Sequence, residues 1–304
     1  MAAQHLLPRR HRFLSHRRAA GLGRVLIAVL LFLPLAGATS IAAPPAGDDD
    51  VPWKDRFGNP LPFQSHAEIV EFMRTAEIQS VEDLEVGITD PRRVELVKDG
   101  VTMRAALRDF DKTYELMRFE REFYDRLRDS YTFDLAAYEL SALLGLNNIP
   151  PVTLRTVNGV EATLQIWVED AMVEWDRFEQ KIMPPDEMRF HMQRQNMLVF
   201  DSLIGNVDRN NGNVLYDEAW NHWLIDHSRS FLRNDAKMPY LDDIQWCARS
   251  LYDGLKALDR DDMATLLSPT LTSPEIDWML KRRDKVIARL DGLIEERGED
   301  AVLF

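Results

Sequence analysis

The sequence predicts an α+β protein of two unequal lobes, a small strand-rich lobe followed by a larger helical one. Three observations carry this expectation. Alternating apolar residues flank Asp99-Gly100 and again Asn158-Gly159, the pattern of two hairpins. After Pro184-Pro185 the apolar residues recur at helical spacing in four successive segments. Between the first two of these lies a loop-rich stretch, 206–231, dense in Asp, Asn and Gly.

Taken in order, the chain opens with Arg9, Arg10, Arg12, Arg17, Arg18 and Arg24 and no acidic residue before position 48. The apolar run Val25–Gly37 follows, then small residues up to Ala43. A basic start, a short apolar core and an A-x-A-like exit describe a secretory signal, with Ala36-Gly37-Ala38 or Ile41-Ala42-Ala43 as the cleavage end. Residues 1–43 are therefore expected to be a signal peptide or, uncleaved, an anchor. The protein is expected to be exported, periplasmic or secreted, touching a membrane only through that segment. Five prolines and Asp48-Asp49-Asp50 mark 44–62 as a linker, which with the helix behind it makes up 44–80. Ser65 with Glu68 forms a capping-box pattern, and Ile69, Phe72, Met73 and Ala76 give that helix one apolar face.

Residues 81–168 make up the expected small lobe and 169–304 the large one. Val94, Leu96, Val101, Met103, Ala105 and Leu107 alternate around the first hairpin turn. Residues 114–146 are expected to be helical, with a break near Asp129-Ser130 and Gly145 closing the last turn. Pro150-Pro151 then forces an extended chain into the second hairpin. The later helices are expected near 186–205, 241–257 (with Cys247 inside it), 260–267 and 274–297.

Composition excludes several functions. Hydrophobic residues make up 45% and charged residues 29% of the 304, a globular balance. One cysteine permits neither an intrachain disulfide nor a zinc finger. The net charge is −13, and setting aside the six N-terminal arginines leaves 31 basic against 50 acidic residues. A chain this acidic is not a general nucleic-acid binder.

The chemistry is concentrated in Phe200–Phe231. Asp208 is followed five residues later by Asn213, and Asp226 ends the second arm of a short hairpin formed by Val214–Tyr216 and Trp223–Ile225. Phosphoryl transfer needs one carboxylate to orient the acceptor hydroxyl and take its proton. It also needs a second carboxylate and an amide oxygen to hold the divalent metals that neutralise the phosphates. Asp208 would be the base, and Asn213 and Asp226 the metal ligands. Gly212 is read as permitting a backbone turn that other residues disfavour. Turn-forming residues in a polar loop, or a calcium loop, remain alternatives.

DRNNGN followed by LIDHS resembles the catalytic and metal-binding loops of atypical kinases. The phosphoinositide-kinase-like pattern is DRHxxN followed by an apolar-Ile-Asp segment. The Golgi casein-kinase type of secreted kinase has GNxDRH and then LDNGR before a phenylalanine, close to Gly205–Arg209 and Asp226–Phe231. Asp134–Tyr138, Leu144-Gly145-Leu146 and Ile149–Val152 resemble a second block of that family. The resemblance spans roughly 84–300. It implies a bilobal protein-kinase-like fold that binds ATP with Mg²⁺ or Mn²⁺ and phosphorylates a hydroxyl on an unidentified acceptor.

The same resemblance puts Arg108 where these kinases carry a phosphate-holding lysine, Lys112 lying past the strand. It puts Asp134 at the helix glutamate that pairs with that lysine, Gly87 in the phosphate-covering loop and Glu169 at the hinge beside the adenine. Arg108, Asp134 and Asn210 (in place of the DRH histidine) depart from the pattern, so an inactive pseudokinase acting as a binding or scaffold module is the alternative. The tryptophans 167, 175, 220 and 223 are expected to pack in the core or between lobes.

Overall fold

The Ser65 hydroxyl accepts the Glu68 amide, the first half of the expected capping box, but the Glu68 carboxylate reaches past Ser65 and accepts the Gln64 amide at 2.6 Å. This starts α1 (His66–Thr75), which buries Ile69, Phe72 and Met73. The structure is a computed structural model describing residues 53–84, 92–119, 122–234 and 238–304. The expected signal segment, the acidic run at 48–50 and Gly87 lie outside the described residues.

After α1 come β1 (Glu77–Asp83), β2 (Arg92–Lys98), β3 (Val101–Arg108), β4 (Asp111–Phe119), β5 (Glu122–Ser130), α2 (Thr132–Leu143), β6 (Val152–Val157) and β7 (Val160–Ile166). Five of these strands form an antiparallel sheet in the order β1-β2-β3-β7-β6. Both expected hairpin turns are present. Asp99 and Gly100, and Asn158 and Gly159, have positive φ between 51° and 82°, the backbone that matches the twist of the flanking strands. The sheet buries Val94, Leu96, Met103, Ala105, Leu107 and Leu164 against α1 in one apolar cluster.

The expected helix over 114–146 is corrected: 111–130 is a separate two-stranded hairpin, β4–β5, and only α2 is helical. Its Glu, Leu, Met and Arg residues favour helix locally. Pairing as strands instead buries Tyr124 and Leu127 against Val207 and Leu232, and that tertiary contact decides.

The rest of the chain is β8 (Met172–Val173), α3 (Glu174–Glu179), α4 (Glu187–Ile204), β9 (Val214–Tyr216), β10 (His222–Leu224), α5 (Arg249–Ala257), α6 (Arg260–Leu267) and α7 (Ser273–Arg297). The helix expected from 241 begins only at Arg249, and Cys247 lies before it in a bridge to Leu303. The cause lies on α4. Gln195 Oε1 accepts the amides of Gln245 and Trp246, and Asn196 Oδ1 accepts that of Ala248. Their backbone donors are thereby satisfied without a helix. α2, α4, α5, α6 and α7 share a second, larger apolar cluster, distinct from that of the sheet. α3 was not anticipated, and Trp175 on it is 57% exposed rather than packed. No helix among the described residues is long and apolar enough to cross a membrane.

Candidate functional site

α4 delivers the site. It ends at Gly205, whose φ of 63° is left-handed, a conformation that lets the chain turn away at a helix C-terminus. The next residues form the loop 206–213. Asn206 Nδ2 donates to the buried Asp201 carboxylate and its Oδ1 accepts the Asp208 amide at 2.9 Å. Asp208 is thus aimed by a side chain that is itself tied to α4.

Arg209 holds this loop to the following one. Its five N–H donors are all used. They reach both Asp201 oxygens (2.8 and 3.0 Å), the carbonyls of Asn213 and Ile225, and His227 Nε2 at 2.9 Å. Burial opposes its charge, and Asp201 outweighs burial and raises its pKa. Because arginine can only donate, His227 Nε2 accepts, and the imidazole is neutral with its proton on Nδ1. Burial lowers the His227 pKa accordingly.

Asp134, on α2 and 1% exposed, ties the two lobes' contributions together. One oxygen accepts Arg108 Nη1 from β3 at 2.9 Å, and the other accepts the His227 amide at 2.8 Å. Burial works against its charge. Arg108 and the His227 N–H outweigh burial and hold the carboxyl below its usual range. An arginine one residue type longer thus meets an aspartate one methylene shorter. Burial likewise opposes the Arg108 charge, while Asp134 and Asp226 raise its pKa. The Arg108 Nε is buried and has no hydrogen-bond partner among the described residues.

Arg108, Asp134, Asp208 and Asn213 therefore sit on one hydrogen-bonded network through His227 and Arg209, and Asp226 adjoins it through the backbone between Ile225 and His227. Asn213 Nδ2 donates to the Asp208 carbonyl at 2.9 Å, and the Ile225 amide donates to the Asn213 carbonyl at 3.2 Å, bringing the amide beside the start of the Asp226 loop. Asp226 has a φ of 57°, unusual for a residue with a Cβ and a mark of strain held by its surroundings. Its Oδ1 accepts the Ser228 hydroxyl at 3.1 Å.

Two expectations change in detail. Gly212 does not have positive φ. A Cβ there would lie 3.0 Å from Asn210 Oδ1, which already accepts the Gly212 amide, so a close approach is what favours glycine. Glu169 spends its carboxylate on Arg104 of β3 in a forked ion pair, so its side chain is not free for a nucleotide.

Sequence reasoning missed Arg229 and Asp129. Arg229, 4% exposed, donates to Asp129 at 2.8 Å and to Asp208 Oδ2 at 3.0 Å. Asn210 Nδ2 donates to the other Asp208 oxygen. Burial raises the Asp208 pKa, Asn210 and Arg229 pull it down, and Asp226 and Asp129 push it up, with a net rise. The signal for Arg229 is the arginine two residues before Phe231 in the matched motif.

The donor types, an amide oxygen and a carboxylate, are ones that a divalent cation takes. The fixed amide of Asn213 leaves Oδ1 as its ligand atom, and Asp226 keeps Oδ2. No group of three His, Cys, Asp or Glu side chains among the described residues could hold a metal alone. A cation here would draw its remaining ligands from phosphate oxygens and water, the usual arrangement for magnesium at nucleotides.

No family model matches the chain, and no curated protein is significantly similar in sequence. Solved structures are similar. The hydra Fam20 structure with sugar has a TM-score of 0.62 at 17% identity, covering 84% of this chain and 96% of that one. The Golgi casein kinase structure has a TM-score of 0.57 at 15% identity, covering 79% of each chain. The same kinase with Mn/ADP bound has 0.57 at 14%, covering 78% of each. The chain has the atypical-kinase fold, a strand-rich lobe beside a helical one.

Proposed function

We propose that the protein is an exported, ATP-dependent phosphotransferase acting on a hydroxyl group. The observation that carries this reading is the buried network from Arg108 through Asp134 and His227 to Arg209, Asn213 and Asp208. Supporting it are a buried guanidinium with an unpartnered Nε, an amide and a carboxylate of the types that hold divalent cations, and a further carboxylate in the same loop. The Golgi casein kinase structure solved with Mn/ADP supports nucleotide with a divalent metal as the ligand of this fold.

On this reading Arg108, held by Asp134, binds phosphate oxygens. Asn213 Oδ1 and Asp226 hold Mg²⁺ or Mn²⁺, which offsets the charge of the phosphates. Asp208 accepts the acceptor's hydroxyl proton as the new O–P bond forms and the bond to ADP breaks. Its raised pKa suits a base that must hold a proton through the transfer. Arg229 and Asn210 keep it oriented and ionised beforehand.

Two variants test the roles separately. Asp226→Ala is expected to lose metal-dependent ATP binding, read as thermal stabilisation. Asp208→Asn is expected to keep that stabilisation and lose phosphoryl transfer. Retained metal-dependent binding in Asp226→Ala contradicts the ligand assignment.

A second reading, a nucleotide-binding pseudokinase used as a scaffold, is favoured by one observation. Arg108 stands where related kinases carry lysine, and the planar guanidinium is not interchangeable with an ammonium. Transfer that appears only in Arg108→Lys would select it.

A further inference from the structure

Trp175, Phe178, Met183 and Met188 are 57%, 68%, 65% and 57% exposed, and they are four of the ten large apolar side chains exposed among the described residues. All four lie between 175 and 188. Trp175 and Phe178 are one turn apart on the same face of α3. Glu174 fixes that helix: its carboxylate is buried, forked onto Arg177, and accepts the Tyr216 hydroxyl at 2.9 Å. α3 therefore cannot roll its aromatic face inward without breaking these contacts.

This face adjoins the candidate site. The Trp175 amide donates to the Asn211 carbonyl at 3.1 Å, inside the loop that carries Asp208. The rim is more acidic than basic. Asp176, Glu179, Asp186 and Glu187 are exposed, against Lys181, Arg189 and Arg194. Arg189 is engaged by the Ala219 carbonyl and Asn221, and Arg194 lies 3.9 Å from Glu174, while Glu179 accepts the Trp175 indole N–H and Asp186 the Arg189 amide. An acidic rim repels an anionic bilayer and attracts a cationic partner.

We infer that this face docks the acceptor, and that the acceptor is a polypeptide segment whose apolar residues are flanked by lysine or arginine. The inference rests on the phosphotransferase reading above and names the substrate class of that site.

The test uses the full chain and a Trp175→Ala/Phe178→Ala variant, neither residue belonging to the phosphate or metal machinery. The probes are fluorescein-labelled short peptides with one serine and paired Leu and Phe residues, flanked by either lysines or glutamates. Binding is read by anisotropy with ADP and Mn²⁺ present. The lysine-flanked peptide is expected to bind at least about tenfold tighter than the glutamate-flanked one, and the double variant to lose about tenfold. Thermal stabilisation by ADP and Mn²⁺ should be equal in both proteins.

Equal peptide affinity in the two proteins, or preference for the glutamate-flanked probe, overturns the docking assignment. So does a dimer that the double variant dissolves, or phosphatidylserine-vesicle binding that it loses. A wild-type protein that shows no stabilisation by ADP and Mn²⁺ overturns the phosphotransferase reading itself. Stabilisation without Trp175/Phe178-dependent peptide binding overturns the docking alone.

Discussion

Asp134 has no spare oxygen. One is taken by Arg108 and the other by the His227 amide, and the residue is fully buried. Asp134→Ala would leave a buried guanidinium and a buried N–H unpaired. Losing one partner of a buried ion pair costs about 3–5 kcal/mol, so urea denaturation should show a loss of that order. Asp134→Asn should cost less, because it keeps a hydrogen-bond acceptor.

His227 adds a pH dependence. Its folded pKa lies below its ordinary value of 6.5, so the unfolded chain takes up the proton first as pH falls. Stability is expected to decline below about pH 6.5. Asp134, also lowered from its ordinary value of 3.8, contributes above that value and loses its contribution as pH falls through its folded pKa. Buried His222, pushed down to about 3, acts in the same direction and Glu139, pushed up to about 7, opposes both, so His227→Gln should reduce rather than abolish the decline between pH 7 and pH 5, and stability measured across that range checks it.

The placement of these residues was legible to different degrees. Asp208, Asn213 and Asp226 could be found because their spacing along one stretch is itself the signal. Arg108 and Asp134 are 26 positions apart, and only the family pattern linked them. Asp129 and Arg229 lie 100 positions apart with no pattern to join them.

At the scale of elements, the C-terminus of α4 is the support on which the site stands. Arg282, fully buried on α7, donates to the carbonyls of Leu203, Ile204, Leu232 and Asn234. These include the last carbonyls of α4, which have no partner within the helix. Gly205 packs against this arginine, and a Cβ there would meet Arg282 Cζ at 2.8 Å. Gly205→Ala combines that clash with a left-handed backbone costing about 1–2 kcal/mol by itself. Thermal unfolding should show destabilisation of about 2 kcal/mol or more, and nucleotide binding should weaken because the loop that follows shifts.

Elements with a local signal were read correctly from sequence. The two positive-φ hairpin turns, the Ser65 cap and the amphipathic face of α1 each depend on residues within one turn of each other. The β4–β5 hairpin was not legible, because its helix-favouring residues are overruled by Val207 and Leu232, about 80 and 105 positions away from Leu127. The late start of α5 has the same origin, since the side chains that hold 245–248 extended belong to α4.

For the whole molecule, periodicity and turn residues indicate a strand-rich and a helical part, but the two apolar clusters divide differently from the expected boundary at 168: α2 and Ile149 pack with the later helices, and the sheet packs with α1. A hydrogen-bond network joins strand β3 of the first cluster through Asp134 on α2 to the loop 206–213 of the second. If this network is a metal-dependent nucleotide site, nucleotide stabilises the protein only together with its cation. Thermal stability of the full chain should be measured with ATP or ADP, each combined with Mg²⁺, Mn²⁺, Ca²⁺ or EDTA. A ligand at 100 times its dissociation constant adds about 2.7 kcal/mol. The account predicts a rise in Tm with nucleotide plus Mg²⁺ or Mn²⁺ that EDTA removes. A rise with Ca²⁺ alone, or no rise with any nucleotide and metal pair, would contradict it.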